Sequence, residues 1–304
     1  MSETMRRIGE LEVSVAGLGC NNFGMRIDED ASQAVVDAAI DAGINFFDTA
    51  DLYGGTKSEE FLGRSLGARR DDVVVATKFG MLKPPEESGL TGGSPEWVVQ
   101  ACEDSLRRLG TDRIDLYWLH APDGETPIGE TLEALNSLVQ AGKVREIGCS
   151  NFSAAQLDEA AAAAKERGVR PFATVQNDYS LLQREPEREV LPACARLGIE
   201  FVPYFPLASG LLTGKYRRGE KATEGRLAGQ EIAASRWDDT EALQAFAAVR
   251  RLTLLDLAFG SLLAQRAVSS VIAGATKPEQ VRANVAAGAW EPSAADVEEL
   301  RKVH

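Results

Sequence analysis

The chain of 304 residues carries 33 basic against 46 acidic side chains, a net charge of −13, with 44% hydrophobic and 7% aromatic residues. That length builds a large core unaided, and the acidic balance argues against nucleic acid or an anionic membrane as main partner while leaving room for one basic phosphate pocket. Cys20, Cys102, Cys149 and Cys194 stand far apart without a CxxC, and His120 and the terminal His304 are the only histidines, which excludes a disulfide frame and a metal site built on several histidines.

No apolar h-region follows Arg6 and Arg7, so no secretory signal is read. No run approaches eighteen uninterrupted apolar residues, so no membrane span is expected. The scattered cysteines read as small buried hydrophobes of a reducing compartment, and the expectation is a cytoplasmic protein.

In chain order, residues 5–16, MRRIGELEVSVA, alternate weakly around Gly9–Glu10 and predict a small lid hairpin. Val15 to Cys20 is a first core strand, left through the loop Asn21–Asn22–Phe23–Gly24. Asp30 opens a helix with Gln33 placed for a capping box, and Ala31, Val35, Ala38, Ala39 and Ala42 hold one face until Gly43. The unit then repeats. The strand Asn45 to Asp48 precedes a helix over 58–66, and Asp72 to Lys78 precedes a helix capped at Ser94–Pro95 and stopped at Gly110. Ile114 to His120 precedes a helix from Thr126–Pro127 to Gly142. Arg145 to Gly148 precedes one capped by Ser153, with Gln156 three residues on, that runs to Gly168. Phe172 to Gln176 leads to a helix near 186–197. Glu200 to Phe205 is the seventh strand and Ser270 to Ala273 the eighth, whose helix Pro278 opens.

Two stretches break the rhythm. Residues 208–240, rich in Gly, Arg and Glu, are too long for an ordinary connection and predict a functional loop. Residues 293–304 predict a short closing helix. Eight strand-then-helix units with apolar strands imply a parallel sheet covered by helices, closing most naturally as a (β/α)8 TIM barrel over residues 1–304 as one domain. A doubly wound open sheet is the alternative, but no GxGxxG follows the first strand.

In such barrels the site lies where the strands end. The second strand ends in Asp48, with Tyr53 in the Gly-rich turn beyond, the third in Lys78 and the fourth in His120. The fifth gives Ser150–Asn151, the sixth Gln176–Asn177 and the seventh Tyr204. A buried lysine beside a carboxylate stays ionised, so Asp48 and Lys78 are expected to pair. A phenol near 10 shares its proton poorly at neutral pH, and the Lys78 ammonium is expected to lower Tyr53 into the range of a general acid. His120 can hydrogen-bond and orient a carbonyl oxygen. The set handles a proton and polarises a carbonyl, but a reduction would need a bound hydride donor.

FFDTADLYG, VATKFG, IDLYWLH, VREIGCSN, VQNDYSLL, PLASGLLTGKY and SVIAGATKPEQVRANV resemble the aldo-keto reductases in order and spacing across nearly the whole chain. The resemblance implies a (β/α)8 barrel that binds NADP(H) without a Rossmann domain and reduces the carbonyl of a small molecule. Its catalytic tetrad falls on Asp48, Tyr53, Lys78 and His120. It also assigns Ser150, Asn151 and Gln176 to the nicotinamide carboxamide and Tyr204 to a stack on the nicotinamide ring. Leu207, Ser209, Gly210 and Lys215 would hold the pyrophosphate, and Gly274, Thr276, Lys277, Gln280 and Asn284 would surround the 2′-phosphate and adenine. The loop before Pro278 is in itself a natural anion site, to which Lys277 adds charge. Many members carry an arginine where this chain has Gln280, which leaves NAD(H) open as a second cofactor. The family hairpin plugs the opposite barrel end, and the family includes monomers and assemblies.

Two rival readings stand beside carbonyl reduction. Lys78 could act as a Schiff-base amine, which the charge of Asp48 disfavours. An NADP(H)-binding regulatory or sensor protein of the same fold with little turnover is the second, since some family relatives act as channel subunits. Phe23, Met25, Trp118 and Trp237 are candidates to line a pocket for an apolar or aromatic carbonyl. The glycines of 208–240, with Lys215, suggest a clasp that folds over NADP(H).

Overall fold

The computed structural model describes residues 4–303 apart from 221, 223 and 224; His304 and those three positions of the 208–240 stretch lie outside the described residues. The elements run β1 (Met5–Ile8), β2 (Leu11–Ser14), β3 (Ala16–Gly19), α1 (Glu29–Asp41), β4 (Phe46–Asp48), α2 (Lys57–Leu66), β5 (Val74–Phe79), α3 (Pro95–Leu109), β6 (Ile114–Leu119) and α4 (Ile128–Gln140). They continue β7 (Val144–Ser150), α5 (Ala154–Arg167), β8 (Thr174–Asp178), α6 (Val190–Leu197), β9 (Glu200–Tyr204), α7 (Ala234–Val249), α8 (Leu254–Leu263), β10 (Val271–Gly274), α9 (Pro278–Ala287) and α10 (Ala294–Leu300).

Eight strands form one parallel sheet in the order β10-β3-β4-β5-β6-β7-β8-β9. The ring closes where Phe201 pairs in parallel with Val268, just ahead of β10, and the Phe201 amide donates to Ala267 O at 2.7 Å. The expected (β/α)8 barrel is therefore present, and the open sheet is not. The strands are apolar on both faces because both are covered. Their outward residues, Phe47, Val75, Tyr117, Ile147 and Val175 among them, pack under the helices.

Inward residues form a second cluster, Phe46, Val74, Ala76, Leu116, Trp118, Val202 and Ile272. Ile8, Leu11 and Val13 of the β1–β2 hairpin join it, so the hairpin plugs the end at which the strands begin. Asn45, just before β4, fixes that plug: its Oδ1 accepts from the Ser14 amide at 2.7 Å and its Nδ2 donates to Glu12 O at 2.9 Å.

Several boundaries differ from the sequence reading. α1 is capped by Asp28, whose side chain accepts from the Ala31 amide at 3.0 Å, while Gln33 bonds Asp37 and Ser65 O instead of making a capping box. Ser94 is the N-cap residue of α3 and Pro95 opens the helix as expected, but the Ser94 hydroxyl makes no capping bond and accepts instead from the Thr91 amide at 2.7 Å. Ser153 and Gln156 do form the expected capping box on α5. The largest difference is after β9. α7 begins at Ala234, inside the stretch read as a loop, and α8 follows it, the two building an apolar cluster of Trp237, Leu243, Phe246 and Leu257 with Leu211 and Leu212. No helix among the described residues is long and apolar enough to cross a membrane.

Candidate active site

Alternate residues of a strand share a face. Two residues beyond the inward Phe46, Ala76, Trp118, Val202 and Ile272 come Asp48, Lys78, His120, Tyr204 and Gly274. The site is thus the next rung above a packed interior, which fixes its floor. Trp118 fills that interior so closely that a side-chain carbon on Gly148 would lie 2.5 Å from its ring.

A cleft of about 630 Å³ opens over this rung. Every residue singled out in the sequence for chemistry or cofactor binding lines it except Lys78, Asn177 and Lys277. Lys78 lies beneath the wall, 1% exposed, and Lys277 is the exposed N-cap residue of α9.

The Lys78 ammonium donates to Asp48 Oδ2 and, at 3.1 Å, to Thr49 O. Gln176 Nε2 donates to the other Asp48 oxygen at 3.1 Å, so the buried carboxylate is engaged on both sides. The Lys78 Nζ sits 5.2 Å from the centre of the Tyr53 ring, which meets the His120 ring edge-on at 5.8 Å. Burial pulls the Lys78 ammonium down, but Asp48 and then Tyr53 more than offset it, and its pKa stands above the ordinary lysine value. Burial and then the charge of Lys78 hold the His120 imidazole down to about 3, so it is neutral at physiological pH. His120 Nδ1 is buried without a hydrogen-bond partner among the described residues.

Tyr53 corrects an expectation. Burial lifts its phenol above the usual 10, and Lys78, though it pulls the other way, only partly offsets that. The lysine field was inferable from the sequence, whereas the depth of burial was not.

The ends of β6 to β9 are tied by side chains. Asn151 Nδ2 donates to His120 O at 2.9 Å, Asn151 Oδ1 accepts from the Tyr204 hydroxyl at 2.7 Å, and Ser150 Oγ donates to Gln176 O at 2.8 Å. Backbone strain gathers here: Asn151, Phe205, Ala208 and Ser209 all have positive φ, and such residues concentrate at working sites. Beyond β9, residues Ala208–Thr213 make a 3-10 turn around Ser209 and Gly210 (φ 59° and 102°). Lys215 follows it, its Nζ 4.9 Å from the Tyr216 ring centre. A side-chain carbon at Gly225 would lie 2.3 Å from the Tyr216 hydroxyl and 2.9 Å from Lys215 Nζ, so this later part of the loop folds back onto both.

At the other end of the cleft, Gly274 lies under Asn21 and Asn22, and a carbon added there would meet Asn22 Nδ2 at 3.0 Å. Gln280 Oε1 accepts from the Thr276 amide at 2.7 Å, holding the turn that leads into α9, and Asn284 is buried against the cleft.

The four pocket candidates are corrected. Trp118 belongs to the barrel interior, Trp237 lies on α7 and packs into the apolar cluster with Leu211 and Leu212, Phe23 is fully buried and Met25 is 64% exposed outside the cleft; none lines it. Arg26, Met81, Phe205 and Arg226 line the cleft instead, and the sequence reading missed them. Phe205, directly after Tyr204, was within its reach as the residue ending the seventh strand. Arg226 sits in an irregular loop, where no periodicity signals direction.

The sequence profile of the Aldo/keto reductase family matches residues 16–304. The chain is 40% identical over 234 residues to the aldo-keto reductase yakc of Schizosaccharomyces pombe, whose name carries NADP(+), covering 74% of this chain and 67% of that one. It is 36% identical over 278 residues to a probable voltage-gated potassium channel subunit beta of Oryza sativa, covering 87% and 84%. Among solved structures it is similar to the holo form of aldo-keto reductase AKR11C1 from Bacillus halodurans, with a TM-score of 0.83 and 33% identity over 99% of this chain and 96% of that one.

Proposed function

The chain belongs to the aldo/keto reductase family, and from that premise we propose that it is an NADP(H)-dependent oxidoreductase that reduces aldehyde or ketone carbonyls to alcohols, with Tyr53 as general acid. The observation that carries this reading is the meeting of Asp48, Lys78, Tyr53 and His120, from three separate strands and the turn after the first of them, at one cleft. When bound, the reduced nicotinamide supplies the hydride.

The donor set fits such a group. Ser150, Asn151 and Gln176 present amide and hydroxyl groups for a carboxamide, and the Tyr204 ring stands beside them. Leu207, Ser209, Gly210 and Lys215 offer backbone amides and an ammonium to a pyrophosphate, and Gly210, whose positive φ favours glycine, is packed so closely that a side-chain carbon there would lie 3.3 Å from the Lys215 and Tyr216 side chains. Gly274, Thr276, Gln280 and Asn284, with Lys277 at the head of α9, fit a phosphorylated adenosine.

The proton chemistry falls to the chain itself. Because burial keeps the phenol protonated, Tyr53 rests as an acid, and its O–H is the proton that the carbonyl oxygen takes as it becomes a hydroxyl. The phenolate left behind is stabilised by the adjacent Lys78 ammonium, which Asp48 holds in place. Neutral His120 brings no charge to this exchange and is suited to orient the carbonyl oxygen by a hydrogen bond.

The name of the rice relative supports a second reading, an NADP(H)-binding regulatory or sensor protein with little turnover. Oxidation of NADPH, with NADH alongside, across a panel of aldehydes, ketones and sugars separates the two. Turnover that depends on the carbonyl bears out the reductase, and tight NADPH binding without turnover on any of them favours the sensor.

A further inference from the structure

Two glycines let a surface loop close on itself beside the cleft. β5 ends at Phe79, and Gly80 turns the chain with φ 99°. A side-chain carbon on Gly92 would lie 2.3 Å from Gly80 O, so residues 81–91 leave and return through one narrow neck. Such an Ω-loop often carries function. Only Pro84 is buried among 81–91, and the backbone of 80–84 makes no hydrogen bond among the described residues. Met81, exposed on this outgoing leg, is the one residue of the loop that lines the cleft.

The returning leg, by contrast, is fastened to the segment that follows His120. Asp123 of that segment has a side chain only 4% exposed, and its Oδ2 accepts from the Thr91 hydroxyl at 2.5 Å and from the Thr126 amide at 3.1 Å. The Thr91 and Thr126 hydroxyls also meet each other. Two residues on, Gly93 O accepts from the Thr131 hydroxyl of α4 at 2.8 Å, and a side-chain carbon on Gly93 would lie 3.0 Å from Asp123 Oδ2. Burial pushes the Asp123 carboxyl up, but Thr126 and Thr91 more than offset it, so the group stands below the ordinary carboxylate value and stays a charged acceptor. The outgoing leg reaches the same carboxylate only through exposed Lys83, whose Nζ is 3.9 Å from Oδ1, a surface pairing that holds little. A loop with few contacts of its own and one firm anchor takes its position from the anchor.

Building on the reading of this cleft as a carbonyl reductase, we propose that Asp123 is a positioning residue for substrate selection: by tying the loop at Thr91 it holds Met81 at the cleft as an apolar wall, so that the favoured carbonyl compounds carry a broad apolar body. The unbranched thioether of methionine fits irregular apolar shapes, and covering it removes apolar surface from water. Neither Asp123 nor Thr91 lines the cleft, so any effect of theirs on the substrate passes through the loop.

The test compares cyclohexanecarbaldehyde with 2-methylpropanal, two aliphatic aldehydes alike at the carbonyl and different in apolar bulk. The wild-type protein is expected to favour the larger in kcat/KM by about tenfold or more, the scale of added methylenes in an apolar site. Asp123→Ala is expected to raise KM for the larger aldehyde and remove most of that preference, while kcat, turnover of 2-methylpropanal and NADPH affinity hold. Thr91→Val is expected to do the same without a change of charge, and it decides alone if Asp123→Ala does not fold. Asp123→Asn keeps an oxygen for Thr91 and Thr126 and is expected to retain most of the preference. Met81→Ala loses the preference by itself, and adding Asp123→Ala costs nothing further. Equal kcat/KM for the two aldehydes in the wild-type protein overturns the proposal, as does a preference that survives Thr91→Val, or losses that multiply in the double variant. Equal losses for both aldehydes, or for NADPH, also overturn it, because the carboxylate then only supports the fold. Calorimetric binding of cyclohexylmethanol and 2-methylpropan-1-ol at saturating NADP(+) is read separately. If neither aldehyde is reduced while the larger alcohol is preferred and Thr91→Val removes that preference, the reductase reading fails and the wall stands; with no alcohol preference either, the wall falls too.

Discussion

Asp51, on the turn after β4, is a buried residue whose chemistry the reaction does not use. Both its carboxylate oxygens are buried without a hydrogen-bond partner among the described residues, while its amide donates to Lys78 O at 3.1 Å. Burial, and then the charge of Glu59, push the carboxyl up to about 7. A group with a raised folded value contributes stability that is fully present below its unfolded value, about 4, and is lost as pH rises through 7. Asp51→Asn removes the charge and keeps the shape, so its urea midpoint is expected to exceed that of the wild-type protein at pH 8 and to lose the advantage by pH 4. An advantage equal at both pH values would show that ionisation of Asp51 is not the cause. At this scale the sequence is informative about identity and poor on depth. It showed Asp48, Tyr53, Lys78 and His120 as residues that could act together, yet the sign of the Tyr53 shift depends on how much water the fold removes, and that emerges only when eight strands have closed.

Among the elements, α9 and the segment after β9 carry the cofactor expectations. The Lys277 side chain makes no capping bond and is exposed, so removing it leaves α9 intact. Lys277→Ala is expected to weaken NADPH by about 1–3 kcal/mol, the scale of a lost charge-assisted hydrogen bond, with NADH nearly unaffected. Equal losses for both cofactors in a fluorescence titration would mean that Lys277 only shapes the loop. The described residues of 214–233, folded back onto Lys215 and Tyr216 at Gly225, are a part of the expected clasp that is not helical. If they close over the cofactor, limited proteolysis there slows at saturating NADP(+); cleavage at the same rate with and without it would remove the clasp. The barrel strands and the α5 cap were legible because an apolar run bounded by Gly, or a Ser with Gln three residues later, has one reading. α7 was hidden because its N-cap residue, Ala233, has no side chain that can cap it. α8, LLDLAFGSLL, is apolar on nearly every side and shows no period, although Thr253 and Asp256 form a capping box that marks its start.

Across the whole molecule, the active rung exists only because the barrel closes. Asp48, Lys78 and His120 leave β4, β5 and β6 in register, with Lys78 opposite Trp118 and Asp48 opposite Ala76, and the hairpin plug and Trp118 hold the floor below them. The positive cleft in an acidic protein suits an anionic cofactor, which a net charge of −13 conceals when read from composition alone. The central claim is that this assembly exists to place one acidic phenol. The measurement that tests it most directly is single-turnover carbonyl reduction by Tyr53→Phe beside an NADPH titration of the same protein. The expected result is NADPH binding close to wild-type with reduction slowed by at least ~10²-fold, the scale of a lost general acid, whereas reduction at the wild-type rate would contradict the account.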